Sequence, residues 1–106
     1  MSAKKKAVRA AFRDAVFRRD GHRCVICGAT GVPLDAHHIH PREDMPNGGY
    51  VAANGITLCD TEDGCHAKAE AVLQGRAEDN VFAPSALFKR IGSSLEYAQN
   101  VAARMR

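Results

Sequence analysis

The four cysteines constrain this chain more than any other feature. Cys24 and Cys27 form a C-x-x-C pair in "RCVICG", and Cys59 and Cys65 form a wider pair in "CDTEDGC". Two residues between thiolates let both sulfurs reach one tetrahedral ion, and Gly28 allows the tight turn that follows. In a reducing compartment such thiols do not form stable disulfides. Two cysteine pairs across a spacer therefore predict a structural Zn2+ site made by Cys24, Cys27, Cys59 and Cys65. The five residues between the second pair exceed the usual two to four, which leaves His66 open as a ligand in place of Cys65.

Composition makes a metal staple useful. The chain has 106 residues, 6% aromatic residues and no Trp. Its core must be assembled from Ala, Val, Leu and Ile, and small lean cores often rely on a metal or a cross-link. No apolar run is long enough to span a bilayer. The basic start "MSAKKKAVRAAF" lacks the apolar centre of a signal peptide. The expectation is a cytoplasmic protein with no membrane partner.

The second unusual stretch is "LDAHHIHP", Leu34 to Pro41, which holds three of the five histidines. On a strand His38 and His40 share one face and His37 takes the other. Along the chain, Val8, Phe12 and Val16 recur four apart and predict a helix over 4–19, ended by Asp20-Gly21. A short strand is expected over Leu34 to His40, stopped by Pro41, then an irregular loop over 41–53. Asn54-Gly55 gives a turn signal before the strand "ITLC", and residues 66–74 are good helix formers. Pro84 opens a helix over Ser85 to Ile91. Ser93 to Glu96 forms an S-x-x-E capping box for a last helix, with Leu95, Ala98, Ala102 and Met105 on one face.

Charge is distributed unevenly. Residues 1–23 carry eight basic and two acidic side chains, a net +6, while the other 83 residues carry net −3. A concentrated positive segment attracts polyanions through counterion release. Arg9 and Arg13 lie one helical turn apart and, with Arg18 and Arg19, are candidate phosphate contacts. Arg42 in the loop and Lys68 near the start of the second helix join that set.

Taken in order, "RDGHRCVICG", "LDAHHIHP", "NGITLC" and "CHAKAEAV" resemble a small zinc-containing HNH endonuclease, over about Arg18 to Val72. Free-standing nucleases of this type are common in phages and prophages. The resemblance implies an α+β fold: a ββα-metal (His-Me finger) core with a four-cysteine zinc site, flanked by an N-terminal basic helix and C-terminal helices. Residues 1–106 would form one domain, with the motif core over about 18–74 and a helical packing segment over about 83–106. By the same resemblance His37 is the first ligand of a catalytic ion, His38 the general base and Asn54 the middle Asn. His66, directly after Cys65, is the last metal-binding His. The spacing of the second cysteine pair departs from the family pattern, where two residues intervene.

The chemistry required for phosphodiester hydrolysis agrees. A base must take a proton from water, and positive charge must meet the transition state. Neutral imidazole suits the first task near pH 7, with a rate rising through roughly pH 6–7.5. A pair of imidazoles, His37 and His66, favours Mn2+, Ni2+ or Co2+ over Mg2+. The expected substrate is double-stranded DNA, nicked by a monomer. Two other functions fit parts of the pattern: a non-catalytic zinc-ribbon-like nucleic-acid-binding module, or a zinc domain docking to phage packaging machinery. Binding alone needs neither His37-His38, Asn54 nor His66. His40 is not expected to be a ligand.

Overall fold

The computed structural model describes residues 3–105. Helix α1 covers Ala3–Arg19, and its stripe buries Phe12 and Val16, as the four-residue spacing predicts. Ala11 and Ala15, beside that stripe, stay exposed. Gly21 ends the helix in the left-handed region at φ 71°.

Strands β1, Leu34–His38, and β2, Gly55–Cys59, form one antiparallel hairpin. Asp35 faces Leu58, His37 faces Ile56 and His38 faces Gly55. The end of α1 is fixed to this hairpin by polar contacts. Asp20 Oδ2 accepts the Thr57 backbone N–H at 2.9 Å. Arg19 pairs with Asp20 and donates to the carbonyls of Ala52 and Gly55 at 2.7 and 2.6 Å.

Gly55 is required by close approach. A Cβ there would lie 2.5 Å from Val16 Cγ2 and 2.7 Å from Phe12 Cζ. Its φ of −130° is ordinary extended backbone. Asn54-Gly55 is therefore no left-handed turn; that geometry belongs to Asn47 and Gly48, at φ 53° and 75°.

Strand β1 stops at His38, two residues before the expected end. The Asn54 side chain takes over the backbone of His40, accepting its N–H at 2.9 Å and donating to its C=O at 3.2 Å. Between the strands the chain winds through short 3-10 turns at Arg42–Asp44, Pro46–Gly49 and Ala52–Asn54.

Helix α2, Cys65–Leu73, follows the cysteine loop; α3, Pro84–Arg90, and α4, Leu95–Ala103, complete the chain. Pro84 sits at the start of α3 as its fixed φ allows. The cap of α4 is Ser94, one residue later than the capping box implies: its hydroxyl accepts the Tyr97 N–H at 3.1 Å. Ser93 instead donates to the Ala53 carbonyl at 2.9 Å. Ala98 and Ala102 are fully buried against the core, and Asn47 donates to the Ala102 carbonyl at 2.9 Å. Leu95 remains at the surface. The C-terminal helices thus brace the loop that leads into β2. Among the described residues no helix is long and apolar enough to cross a membrane.

Candidate nuclease and metal site

Side-chain alternation on β1 divides its residues between two helices. His37 and Asp35 point toward α2, and His38 points toward α1. His37 is almost fully buried, its Nδ1 3.4 Å from Glu70 Oε1, and its ring lies 5.4 Å from that of His66. His66 Nε2 is 3.2 Å from Asp35 Oδ2 and 3.4 Å from Glu70 Oε1, while its Nδ1 meets Asp60 at 3.1 Å. Across the strand, the His38 ring stacks on Phe12 at 4.4 Å and meets the edge of Tyr50 at 4.9 Å.

Both groups open on one cavity of about 590 Å3 that straddles β1. Strand β1 is paired only to β2, so its other edge is left for this opening. Arg9, Arg13, Arg42 and Tyr50 line the α1 side, and Asp35, His66 and Glu70 the α2 side. The cavity therefore has a basic flank and an acidic flank, with His37 and His38 between them.

The environment separates the histidines electrically. Burial, then the proximity of His66 and His38, holds His37 down to about 3. Burial and the Arg42 charge lower His38 to about 4. Both rings are thus neutral at pH 7. For His66, burial works the other way, but the Asp60 hydrogen bond and the charges of Asp35, Asp60 and Glu70 raise its affinity for a proton. Asp35 is raised by burial and by Asp60 and Glu70, against the pull of His66. A divalent cation is the natural replacement for the proton that binds this cluster. One donor atom each from Asp35, His37 and His66 lies within 4.8 Å of the others, and one nitrogen and oxygen donor set of this kind suits a hard or borderline ion.

The cysteines gather separately. One sulfur from each of Cys24, Cys27, Cys59 and Cys65 lies within 4.8 Å of the rest, and Cys27 Sγ is 3.8 Å from Cys59 Sγ. The five-residue loop is accommodated by Asp63 at φ 56° and by Gly64, and the Cys65 N–H donates to Cys59 Sγ at 3.2 Å. Burial opposes ionisation of Cys24, yet backbone N–H groups of Cys27, Cys59 and Ile26 bring it down to about 7. Burial and the neighbouring sulfurs push Cys65 up. Four sulfurs so arranged could hold a structural metal ion. Cys65 is the fourth member, and His66, the alternative, faces the other cluster. Successive helical residues diverge by about 100°, which lets these neighbours serve two sites.

Not every residue singled out by sequence is at the cavity. His37, His38, His66, Arg9, Arg13 and Arg42 line it; Arg18, Arg19 and Lys68 do not. The Arg19 guanidinium is engaged by Asp20 and by the carbonyls of Ala52 and Gly55, which ties α1 to β2. Asn54 is buried, with its side chain bonded to the backbone of His40 and Gly49, which positions the segment after His38. His40 lies outside both clusters.

Sequence reading missed Asp35, Glu70, Asp60 and Tyr50. Two of these carried a signal. Asp35 is two residues before His37 and so on the same strand face, and Glu70 is four after His66 and so on the same helix face.

A hairpin followed by a helix, with a histidine and carboxylate cluster between them and a cysteine cluster beside it, defines a ββα arrangement of the α+β class. Residues 24–71 match the family model "HNH endonuclease", and this stretch from Cys24 to Ala71 is an HNH domain. The family suggests nuclease chemistry on nucleic acid. No curated protein and no solved structure matches the chain.

Proposed function

We propose that the protein is a metal-dependent endonuclease that nicks double-stranded DNA, with His38 as general base and one divalent ion held by Asp35, His37 and His66. The observation that carries this reading is the meeting of the three donor atoms within 4.8 Å, one residue from a neutral imidazole in the same cavity. The ion, when bound, supplies positive charge to the transition state and the leaving oxygen.

The chain's own residues do the rest. His38 Nε2 is enclosed and without a hydrogen-bond partner, and the neutral ring has one unprotonated nitrogen with which to take the proton of the attacking water. Phe12 and Tyr50 hold that ring on two sides, which keeps it in one orientation without a hydrogen bond. Asn54 holds the backbone beyond it. Arg9, Arg13 and Arg42 place phosphates over the cavity, and the acidic flank repels DNA wherever no cation has neutralised it. Cys24, Cys27, Cys59 and Cys65 hold a structural Zn2+ that fixes the start of α2, and therefore His66.

Plasmid cleavage across a series of divalent ions, with His38→Ala in parallel, tests the assignment. Cleavage by wild type that requires an ion and falls by at least about 100-fold in the variant is expected. A variant that cuts as fast as wild type would overturn it. Tight DNA binding with no cleavage under any ion would favour a non-catalytic binding module.

A further inference from the structure

The cysteine loop carries an ionisable residue directly after each of its two cysteines: Asp60 after Cys59 and His66 after Cys65. The two side chains meet, with Asp60 Oδ1 3.1 Å from His66 Nδ1. The other ring nitrogen, Nε2, faces Asp35 Oδ2 at 3.2 Å. We propose that Asp60 is a positioning residue for the ion site: it accepts a hydrogen bond from the Nδ1–H of His66 and so leaves the Nε2 lone pair for the cation. The inference rests on the reading of Asp35, His37 and His66 as the holders of a divalent ion, and not on the reaction that the ion serves.

A neutral imidazole has one N–H and one lone pair, and only the lone pair can bind a cation. Around His66 three carboxylates compete for that hydrogen. Asp35, and Glu70 at 3.4 Å, both stand at Nε2, on the side where His37 completes the donor group. Left to these two, the hydrogen would sit on the nitrogen that the ion requires. Asp60 is the counterweight on the far edge of the ring. The bond made by one ring nitrogen decides which form the other takes toward a metal. Asp35, His37 and His66 come within 4.8 Å of one another, and Asp60 is not among them. It therefore acts through His66 and not on the ion.

The backbone holds the pair at this distance. The Asp60 N–H donates to the Pro33 carbonyl at 2.8 Å, just ahead of β1. The Cys65 N–H donates to Cys59 Sγ at 3.2 Å, which closes the loop on itself. Cys59 and Cys65 both belong to the four-sulfur cluster. One loop thus presents two sulfurs to one cluster and, one residue on from each, the two members of the pair. The Asp60 side chain is half exposed, so water can satisfy its remaining lone pairs.

Asp60→Ala and Asp60→Asn separate a hydrogen bond from a charge, because the amide oxygen of Asn still accepts from Nδ1–H. Both would be purified with one zinc per chain, and their Tm compared with wild type. In titration calorimetry with Mn2+, Kd should rise about 10–100-fold in Asp60→Ala and stay within about fivefold of wild type in Asp60→Asn. Nitrogen chemical shifts of 15N-histidine-labelled protein locate the ring hydrogen directly, without added divalent ion and at alkaline pH, where the ring is neutral. They should place it at Nδ1 of His66 in wild type and Asp60→Asn, and at Nε2 in Asp60→Ala. If Asp60→Ala does not hold zinc, the tautomer in wild type still decides. A hydrogen at Nε2 in wild type, no Mn2+ binding by wild type, wild-type affinity in Asp60→Ala, or equal losses in the two variants would overturn the role. The nuclease reading fails separately: wild type that binds Mn2+ with this dependence on Asp60, yet never cuts DNA, would keep the positioning role and refute the catalysis.

Discussion

The imidazole of His38 is stacked on the phenyl ring of Phe12, with centroids 4.4 Å apart and 25° between the planes. The residue across the hairpin from His38 is Gly55, whose missing side chain is the space that Phe12 fills. A helix outside the matched HNH stretch thus shapes the surroundings of the proposed base.

Burial against Phe12, helped by Arg42, lowers His38 to about 4. Its folded-state value is depressed, so the neutral, active form exists above that value and is lost as pH falls through it. With the ion saturating, the rate should be flat between about pH 6 and 8 and fall only below the ordinary histidine range. The rise through pH 6–7.5 expected from an unperturbed imidazole should be absent. Phe12→Leu, which opens one face of the ring to water, should move the acid limb upward. Initial rates against pH at several ion concentrations check both points; a wild-type midpoint near 6.5 that does not move with ion concentration would refute them.

Asp35 changes the expected metal preference. Two imidazoles alone would favour late transition ions, but the cluster adds a carboxylate oxygen, with Glu70 within 3.4 Å of both rings. Mn2+ should be effective, and Mg2+ should support substantial cleavage because oxygen donors suit it. Asp35→Asn should lower activity with Mg2+ by at least about 10–100-fold and shift preference toward Ni2+ or Co2+. Titration calorimetry with Mn2+ and cleavage under each ion measure this. An Asp35→Asn protein with wild-type Mn2+ affinity would remove the carboxylate from the set.

How far the sequence reveals this depends on whether the partners are local. The cysteine pairs, the helix stripe of Phe12 and Val16, and the split between His37 and His38 follow from short-range spacing, and the structure has them all. Asp35 and Glu70 also obey strand and helix periodicity, but a lone carboxylate at such a position is common on a solvated face and carries little signal by itself. The contacts of Tyr50 and Arg19 were not legible. Each depends on contacts between segments about 30 or more residues apart, which no local period encodes. Asn54 was found by motif, but its bonds to the His40 backbone arise only once the hairpin closes.

Removing the zinc proposed for the four-cysteine cluster should unfold the protein. Phe12, Phe82 and Phe88 are the only aromatic rings in the buried core among the described residues, and structural zinc contributes on the order of 10 kcal/mol or more in small domains. Strong chelation should lower Tm sharply, and Cys65→Ser should do so without chelator. One zinc per chain is expected by elemental analysis. Soluble, active protein with no zinc would refute the site.

Gly55→Ala should uncouple α1 from the hairpin. The added carbon meets Val16 and Phe12 well inside contact distance, and overpacking of this kind costs about 1–3 kcal/mol. Because Phe12 also holds His38, the variant should lose cleavage more than its lower Tm explains. Thermal melts and cleavage rates at a temperature where both proteins are folded separate the two effects. Equal specific activity at that temperature would show that α1 packing does not set the base.

The products follow from the number of sites. The described residues contain one Asp35, His37 and His66 cluster and one neutral His38 beside it. One such site cuts one phosphodiester per encounter, and the strands of a duplex run in opposite directions. A single chain must release, or turn on the DNA, before it reaches the second strand. Supercoiled plasmid should therefore convert first to open circle, with linear DNA following as independent nicks accumulate. The proposed DNA contacts are the arginines that line the cavity, and phosphate contacts position without specifying sequence, so nicks should be spread over many sites. Arg9→Gln with Arg13→Gln should slow nicking about equally on all sequences and flatten its salt dependence. Time courses with enzyme limiting decide the matter. Linear product from the outset, at a rate that rises with the square of protein concentration, would show paired subunits cutting both strands together and would replace the single-chain nickase with a dimer.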